Sequence, residues 1–296
     1  MARHRILALA ALLACFPATW AAEPEPAQPV WSLSLPDSEK VVFHGQTSFD
    51  KAGQEPGTML YPAPGLAGFI VALATHAAVV KEQIKEQRSA IKAEADRILL
   101  PFRKTLEAFS YGELAERAFP AASGVSWLGS AARPQSGLLI SSAPVFYMTQ
   151  DQSALIVDNT VSVFRAGSEQ PVYTNTVRVV SRAVEVENEA VFWQRDGGQR
   201  LRETSAALFR ESVEIAREHA LAPAATVAGA QRTFRYLEGK EEVIERAVPL
   251  SEHCDRALVR NLRGWLMSIP LKRTRPAAPA CVAPAGSPAS SQAGRS

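Results

Sequence analysis

The stretch SALIVDNTVSVF, residues 153–164, constrains the fold more than any other part of the chain, because its side chains alternate between apolar and polar. The apolar positions are Leu155, Val157, Val161 and Val163, and the polar positions are Asp158, Thr160 and Ser162. Successive side chains of a β-strand point to opposite faces of its sheet. The pattern therefore predicts a strand with one buried and one solvated face.

Two neighbouring stretches, GLLISSAPVFYMT (137–149) and PVYTNTVRVVSRAV (171–184), show the same alternation. Short connections separate the three stretches, and connections of this length join antiparallel neighbours. We therefore predict an antiparallel β-meander. Pro144 within the first strand indicates a sheet edge or a bulge, because proline cannot donate a ladder hydrogen bond.

Residues 65–80, GLAGFIVALATHAAVV, are strongly apolar, and the charged stretch KEQIKEQR follows them. A seven-residue apolar repeat runs through both stretches, at Ile70, Ala77, Ile84, Ile91 and Ile98. This repeat predicts one long N-terminal helix that Pro101 ends or kinks. Because a membrane-spanning helix needs roughly 20 apolar residues, we predict no transmembrane helix in the mature chain.

A second, shorter helix is predicted over residues 199–220, where an apolar stripe recurs every seven residues at Leu201, Leu208 and Ile215. Further strands follow, with a hairpin turn at Glu238-Gly239. Helices and strands thus occupy separate parts of the sequence. The predicted fold class is α+β: an antiparallel β-meander sheet, with a long N-terminal helix and a second shorter helix packed on it, and a flexible C-terminal tail.

The N-terminus has the pattern of an export signal, with basic Arg3 and Arg5, an apolar stretch at 6–14 and the helix breaker Pro17. Cleavage after Ala21 removes residues 1–21 and leaves 30 basic residues against 30 acidic ones. Nucleic-acid binding needs several phosphate-neutralising side chains, so we predict no nucleic-acid partner. The predicted location is the periplasm.

An alternative cut follows from Leu12-Leu13-Ala14-Cys15, which resembles a bacterial lipobox. The resemblance implies removal of residues 1–14 and lipid attachment to Cys15. Phe16 follows the cysteine, where the aspartate that retains lipoproteins in the inner membrane is absent. This alternative predicts a lipid anchor in the outer membrane.

The composition divides the remaining chain into three parts. Residues 22–29 alternate Ala, Glu and Pro and are typical of an extended tether. Residues 30–275 are predicted to form a single α+β domain. Residues 276–296 are rich in Pro, Ala and Ser and predict a disordered tail, because they hold too little apolar bulk to fold.

Cys254 and Cys281 are the two cysteines left after either cut. In an oxidising compartment they are able to form one disulfide, which would close a loop of about 28 residues and stabilise the fold by about 3 kcal/mol. Two unpaired thiols are the alternative. The sequence therefore predicts a possible disulfide at the end of the folded part.

The residues that carry chemistry form no recognisable catalytic or metal motif. The four histidines after the signal are widely spaced, at His44, His76, His219 and His253, and no CxxC pair occurs. GVSWLG at 124–129 does not fit the G-x-S-x-G nucleophile motif, and nucleotide-binding glycine patterns are absent. We therefore predict no metal, no cofactor and no catalytic residue.

Three side chains are candidates for contact with a ligand or partner. Tyr61 and Trp127 are aromatic residues in stretches rich in proline and glycine, where predicted loops expose them. His76 is a titratable residue in an otherwise apolar helix. Each of the three also has a purely structural interpretation as a part of the core.

The order of signal, apolar helix, charged helix and sheet is similar to that of Gram-negative envelope proteins and lipoproteins. We predict an exported, non-enzymatic binding or assembly factor of the cell envelope. Its expected partner is another envelope protein, a glycan or a lipid. The alternatives are an outer-membrane lipoprotein in an envelope complex, and a periplasmic hydrolase whose site lies near His76 or His219.

Overall fold

A computed structural model describes residues 30–47, 89–129, 134–221, 229–253 and 255–271. Ten strands form one sheet: β1 Trp31–Ser34, β2 Val42–Gly45, β3 Val125–Trp127, β4 Leu138–Met148, β5 Leu155–Arg165, β6 Pro171–Val180, β7 Arg232–Glu238, β8 Glu241–His253, β9 Arg256–Asn261 and β10 Leu266–Pro270. The α-helices of this part are α1 Arg103–Ala108, α2 Tyr111–Ala118 and α3 Glu189–Leu221. The predicted α+β class is confirmed.

The strand order is β3-β1-β4-β5-β6-β10-β9-β8-β7, and β2 pairs with the second half of β4. Two antiparallel runs, β4-β5-β6 and β7-β8-β9-β10, meet where β6 pairs in parallel with β10. β1 also pairs in parallel with β3 and β4. The sheet is therefore mixed but mostly antiparallel, so the predicted antiparallel character is confirmed in part, and the parallel pairs were not predicted. Alternation shows which face a side chain occupies but not which strand lies next to it.

Pro144 lies inside β4 at a point where the neighbouring edge changes partner. β1 pairs with residues 138–141 of β4, and β2 pairs with residues 145–148. The Pro144 carbonyl accepts a hydrogen bond from the Tyr111 hydroxyl at 3.2 Å. The residue that lacks an N–H group thus stands between two short partner strands, as the rule for proline in sheets requires.

The main core lies between one face of the sheet, here called the helix face, and the helices. α3 packs across β5 and β6, and its predicted stripe is buried at Leu201, Leu208 and Ile215. The helix begins earlier than predicted, at Glu189, and is interrupted by non-helical backbone at residues 195–198. Gly198 has φ of +85°, a conformation that L side chains rarely adopt, and a Cβ added there would clash with the Thr105 side chain.

A buried polar link joins α3 to the sheet within this core. Asn159 of β5 is 0% exposed; it accepts from the Ser142 hydroxyl at 2.7 Å and donates to the Ser212 hydroxyl of α3 at 2.9 Å. Ser212 in turn donates to the Phe209 carbonyl at 2.7 Å. Each buried polar group thereby has a partner, which fixes the position of α3 along β5.

The opposite side of the sheet, here called the open face, carries a second, smaller core. The run β7-β8-β9-β10 curls over it, because Tyr236 of β7 bridges to Leu271, just after β10. The buried side chains of this core are Ile156, Val180, Phe234, Tyr236, Ala247, Ala257, Val259, Met267 and Ile269. The curl leaves the first halves of β4 and β6 and the second half of β5, which pairs with them, outside this core.

Several predictions fall on residues that the structure does not describe. Of the long N-terminal helix, only residues 89–95 are described, and a 3₁₀ segment, Asp96–Phe102, continues them through Pro101. The export signal, the tether, the tail, Cys15 and both cysteines of the possible disulfide, Cys254 and Cys281, lie outside the described residues. Within the described ranges, no helix combines the length and apolar character needed to cross a bilayer.

The β4–β5 turn and the β7–β8 turn are joined by one carboxylate. Asp151 accepts hydrogen bonds from the Thr149 hydroxyl, from the Ser153 amide and hydroxyl, and from the Lys240 amide, at 2.5–2.9 Å. Burial raises the pKa of Asp151, but these hydrogen bonds lower it by more, so the net pKa lies below its usual value.

We expect Asp151→Asn to lower the free energy of unfolding by about 1 kcal/mol at neutral pH, because charge-assisted hydrogen bonds are lost and the carboxylate is partly exposed. A lowered folded-state pKa stabilises the fold above the unfolded pKa of about 3.9, and this contribution disappears as the pH falls through the folded pKa. Urea unfolding of both proteins between about pH 7 and pH 3 checks this. The difference in unfolding free energy between the two proteins should become smaller as the pH falls, and a difference independent of pH would contradict the prediction. Glu169→Gln, on the exposed surface, is the control.

Candidate functional site

A surface groove of about 450 Å³ lies at the β3 end of the sheet. Three segments line it: residues 36–39 after β1, residues 110–112 at the start of α2, and Trp127 with Gly129 at the end of β3. We call it the Trp127 groove. It contains the one sequence-predicted contact residue that the structure describes.

The positions of these segments follow from strand pairing. β1 and β3 are parallel, with Leu33 opposite Trp127, so both strands end on the same side of the groove. The loop after β1 returns to α2, where Lys40 forms a bridge with Ser110. The Ser110 hydroxyl accepts from the Glu113 amide at 3.1 Å and caps α2, which fixes the far wall.

The chemistry of the groove combines an aromatic wall with negative charge. Trp127 is half-buried and packs on the main core, and Tyr111 is buried beneath the groove. Asp37 and Glu39 are exposed on the loop opposite. A cation held between an indole ring and a carboxylate gains both cation–π and ionic attraction, so the groove suits a Lys or Arg side chain.

The predicted contact role of Trp127 stays a prediction, whereas its predicted place in the fold is corrected. Trp127 was expected in a loop, but it ends strand β3, because residues 125–127 pair with β1. Tyr61 and His76 lie outside the described residues. The sequence did not identify Asp37 and Glu39 as residues of a candidate site. The Pro36-Asp37 pair indicates a turn, but it does not show that this turn lines the same groove as Trp127.

A second polar region, here called the Arg178 network, lies on the open face. The Arg178 guanidinium donates two hydrogen bonds to Asp158, both at 2.7 Å, and its Nη1 lies 3.6 Å from Glu238 Oε1. Glu238 also accepts from the Tyr236 hydroxyl at 2.9 Å and from the side chain of Gln46. The network therefore connects β5 and β6 to β7 across the curl of the sheet.

Burial and charge shift two pKa values in this network. Burial lowers the pKa of Arg178, but the hydrogen bonds and charge of Asp158, with the charge of Glu238, outweigh it and raise the pKa above its usual value. Burial, together with the Glu238 charge, raises the pKa of Tyr236. Both groups keep their protons at physiological pH, so the network acts as a fixed ionic clamp.

His44 forms a third candidate, which the sequence did not indicate. Its Nδ1 lies 3.2 Å from Asp96 Oδ2, and the Gly45 amide donates to Asp96 Oδ1 at 2.7 Å. Its ring centroid is 6.1 Å from that of Tyr147. A carboxylate at Nδ1 orients an imidazole and leaves Nε2 for proton transfer, as in acid–base catalysis. Asp96 lies on a distant segment of the chain, so no sequence motif links it to His44.

His219 and Asp255 make contacts that are common in protein structures. His219, proposed for a hydrolase site, contacts the Ile215 carbonyl within its own helix through Nδ1 at 2.9 Å. Asp255 pairs with Arg182. In the part of the chain that is described, no three His, Cys, Asp or Glu side chains are grouped so as to hold a metal ion.

Comparisons of the chain with known protein families, curated proteins and solved structures find no match. The function is therefore inferred from the chemistry of the candidate sites. In the Arg178 network the charged groups bind one another. In the Trp127 groove the two carboxylates are exposed to solvent beside an aromatic ring, which makes it the better candidate for a ligand site.

Proposed function

We propose that the protein is a non-enzymatic binding factor of the cell envelope, and that the Trp127 groove holds a basic side chain on an extended segment of a partner protein. The observation that carries the proposal is that exposed Asp37 and Glu39 line the same groove as Trp127. Aromatic anchors surrounded by polar groups are typical of binding surfaces. Export, and lipid attachment to Cys15 as its alternative, stay predictions from the sequence.

The shape of the groove favours a protein segment over a small molecule. It is open along the surface between the β1 loop and the start of α2, rather than enclosed. An extended chain can cross such a groove and place one long side chain against the indole. Lys and Arg side chains suit this position, because their apolar stems pack on the ring while their charged ends reach the carboxylates.

A peptide titration tests the proposal. The full chain from Ala22 is titrated with the peptide KPKPKP and with its acidic counterpart EPEPEP, by calorimetry at low salt. We expect the basic peptide to bind and the acidic one not to bind. Trp127→Ala, and separately Asp37→Asn with Glu39→Gln, should each weaken binding about tenfold, which corresponds to about 1.4 kcal/mol.

The control is Leu262→Ala, which removes an exposed apolar side chain from the β9–β10 turn, away from the groove. This variant should bind the basic peptide as the unmodified chain does. Equal binding of the basic and acidic peptides would contradict the proposal. So would unchanged binding by the Trp127→Ala variant.

A further inference from the structure

We propose that the uncovered part of the open face is a binding surface for a neutral polysaccharide strand. The surface, here called the hydroxyl face, consists of two cross-strand rows on β4, β5 and β6. The rows are Ser141–Ser162–Thr174 and Ala143–Thr160–Thr176. This surface and its ligand differ from those of the Trp127 groove, so the inference goes beyond the function proposed above.

The side chains of both rows project from one side of the sheet. Their alternate neighbours on β4 and β5, such as Ser142 and Asn159, point to the helix face and bind α3 through Ser212. The rows themselves are exposed or half-exposed to solvent. The hydroxyl face is thus the solvated side of the central strands.

The composition of this face is unusual for the solvated side of a sheet. None of its six side chains is charged, and none is larger than threonine. Solvent-exposed strands commonly carry lysine and other long charged residues, which also prevent unwanted strand pairing. The six short side chains form a flat surface, with rows about 7 Å apart along the strands and about 4.8 Å between strands.

Hydroxyl groups on a regular grid suit a ligand that is itself covered with hydroxyls. Each serine or threonine hydroxyl offers one donor and two acceptor sites. The contact between Ser162 Oγ and Thr174 Oγ1, at 3.1 Å, uses only part of that capacity. A charged polymer finds no opposite charge on these two rows, and an apolar partner finds there only one alanine and the threonine methyl groups. A neutral glycan matches both properties.

The next two rows along the strands adjoin the hydroxyl face. The third row is Val145–Asp158–Arg178, whose charged groups bind each other at 2.7 Å. The fourth row begins with half-exposed Tyr147, whose ring is able to stack on a sugar. A strand lying across the rows therefore meets the hydroxyls first and, beyond the ion pair, an aromatic ring.

Co-sedimentation tests the inference. The full chain from Ala22 is mixed with insoluble cellulose and with insoluble chitin, two neutral polysaccharides, and the bound fraction is measured. We expect binding to one or more of these glycans. Thr160→Glu and Thr174→Glu, which each place a long charged side chain on the hydroxyl face, should reduce binding at least tenfold.

The matched control is Thr233→Glu, the same change at an exposed threonine of β7. It should bind as the unmodified chain does, and all three variants should keep the circular dichroism spectrum of the folded protein. The inference would be overturned if the unmodified chain bound neither cellulose nor chitin, or if Thr160→Glu and Thr174→Glu bound as well as the unmodified chain. Trp127→Ala should leave glycan binding unchanged, which separates this test from that of the groove.

Discussion

Replacing Arg178 by methionine is expected to lower the free energy of unfolding by about 3–5 kcal/mol. The side chains of Glu238 and Asp158 are only 5% and 15% exposed, and Arg178 is their shared counter-charge. Its removal leaves two poorly hydrated carboxylates without a counter-charge. Urea unfolding at pH 7, followed by tryptophan fluorescence, measures the loss.

A surface pair provides the control for this prediction. Arg235 contacts Glu242 at 2.8 Å, but its side chain is 62% exposed, so Arg235→Met should cost less than about 1 kcal/mol. Adding Asp158→Asn and Glu238→Gln to Arg178→Met should recover part of the stability, because the uncompensated charges are then removed. Equal losses for the two arginine variants would show that the Arg178 network is no more than a surface ion pair.

Replacing Gly45 by alanine is expected to lower the free energy of unfolding by about 3 kcal/mol. A Cβ at this position would lie 1.9 Å from the Ala95 carbonyl oxygen and 2.4 Å from its carbon. These are backbone atoms, so no rotamer change relieves the contact. β2 or the segment carrying Asp96 has to move, and the His44–Asp96 contact is expected to break with it.

Gly112→Ala is the matched control for Gly45→Ala. Gly112 lies in α2, and the nearest atom to an added Cβ is Ser110 Oγ at 3.7 Å. Alanine is the better helix former, so this variant should raise the free energy of unfolding by about 0.5–1 kcal/mol. Thermal unfolding of both variants should therefore shift in opposite directions. If both variants shifted the melting temperature in the same direction and by the same amount, the close approach of Gly45 to Ala95 would not be what limits the residue at this position.

The parts of the fold that the sequence predicts are those fixed by local pattern. The alternation of apolar and polar residues in 153–164 identifies β5, because each residue's polarity indicates whether it is buried. The apolar stripe that includes Leu201 identifies the second part of α3 in the same way. The start of α3 was missed because the interruption at 195–198 separates the first turns from the stripe. The parallel pairing of β6 with β10 was missed because no local pattern specifies a distant partner.

The candidate sites depend even more on contacts between distant residues. Trp127 is recognisable in the sequence as an aromatic residue among glycines. The acidic loop that lines the same groove is brought near it by the pairing of β1 with β3. The same holds for Arg178 and Glu238, which the curl of the sheet brings together. The sequence therefore identifies single candidate side chains, whereas their contact partners are known only from the folded structure.

The junction of β6 with β10 also determines when the sheet can be completed. β4, β5 and β6 follow one another directly and pair through local contacts, so they are able to form early. β10, which joins the second run to β6, is the last strand described and follows β6 only after α3 and three further strands. As a chain emerges from the ribosome N-terminus first, the β6 edge stays without this neighbour until β10 has been synthesised. During that interval β6 has an unpaired edge that could pair with another chain, so this edge is where we expect a chaperone to bind.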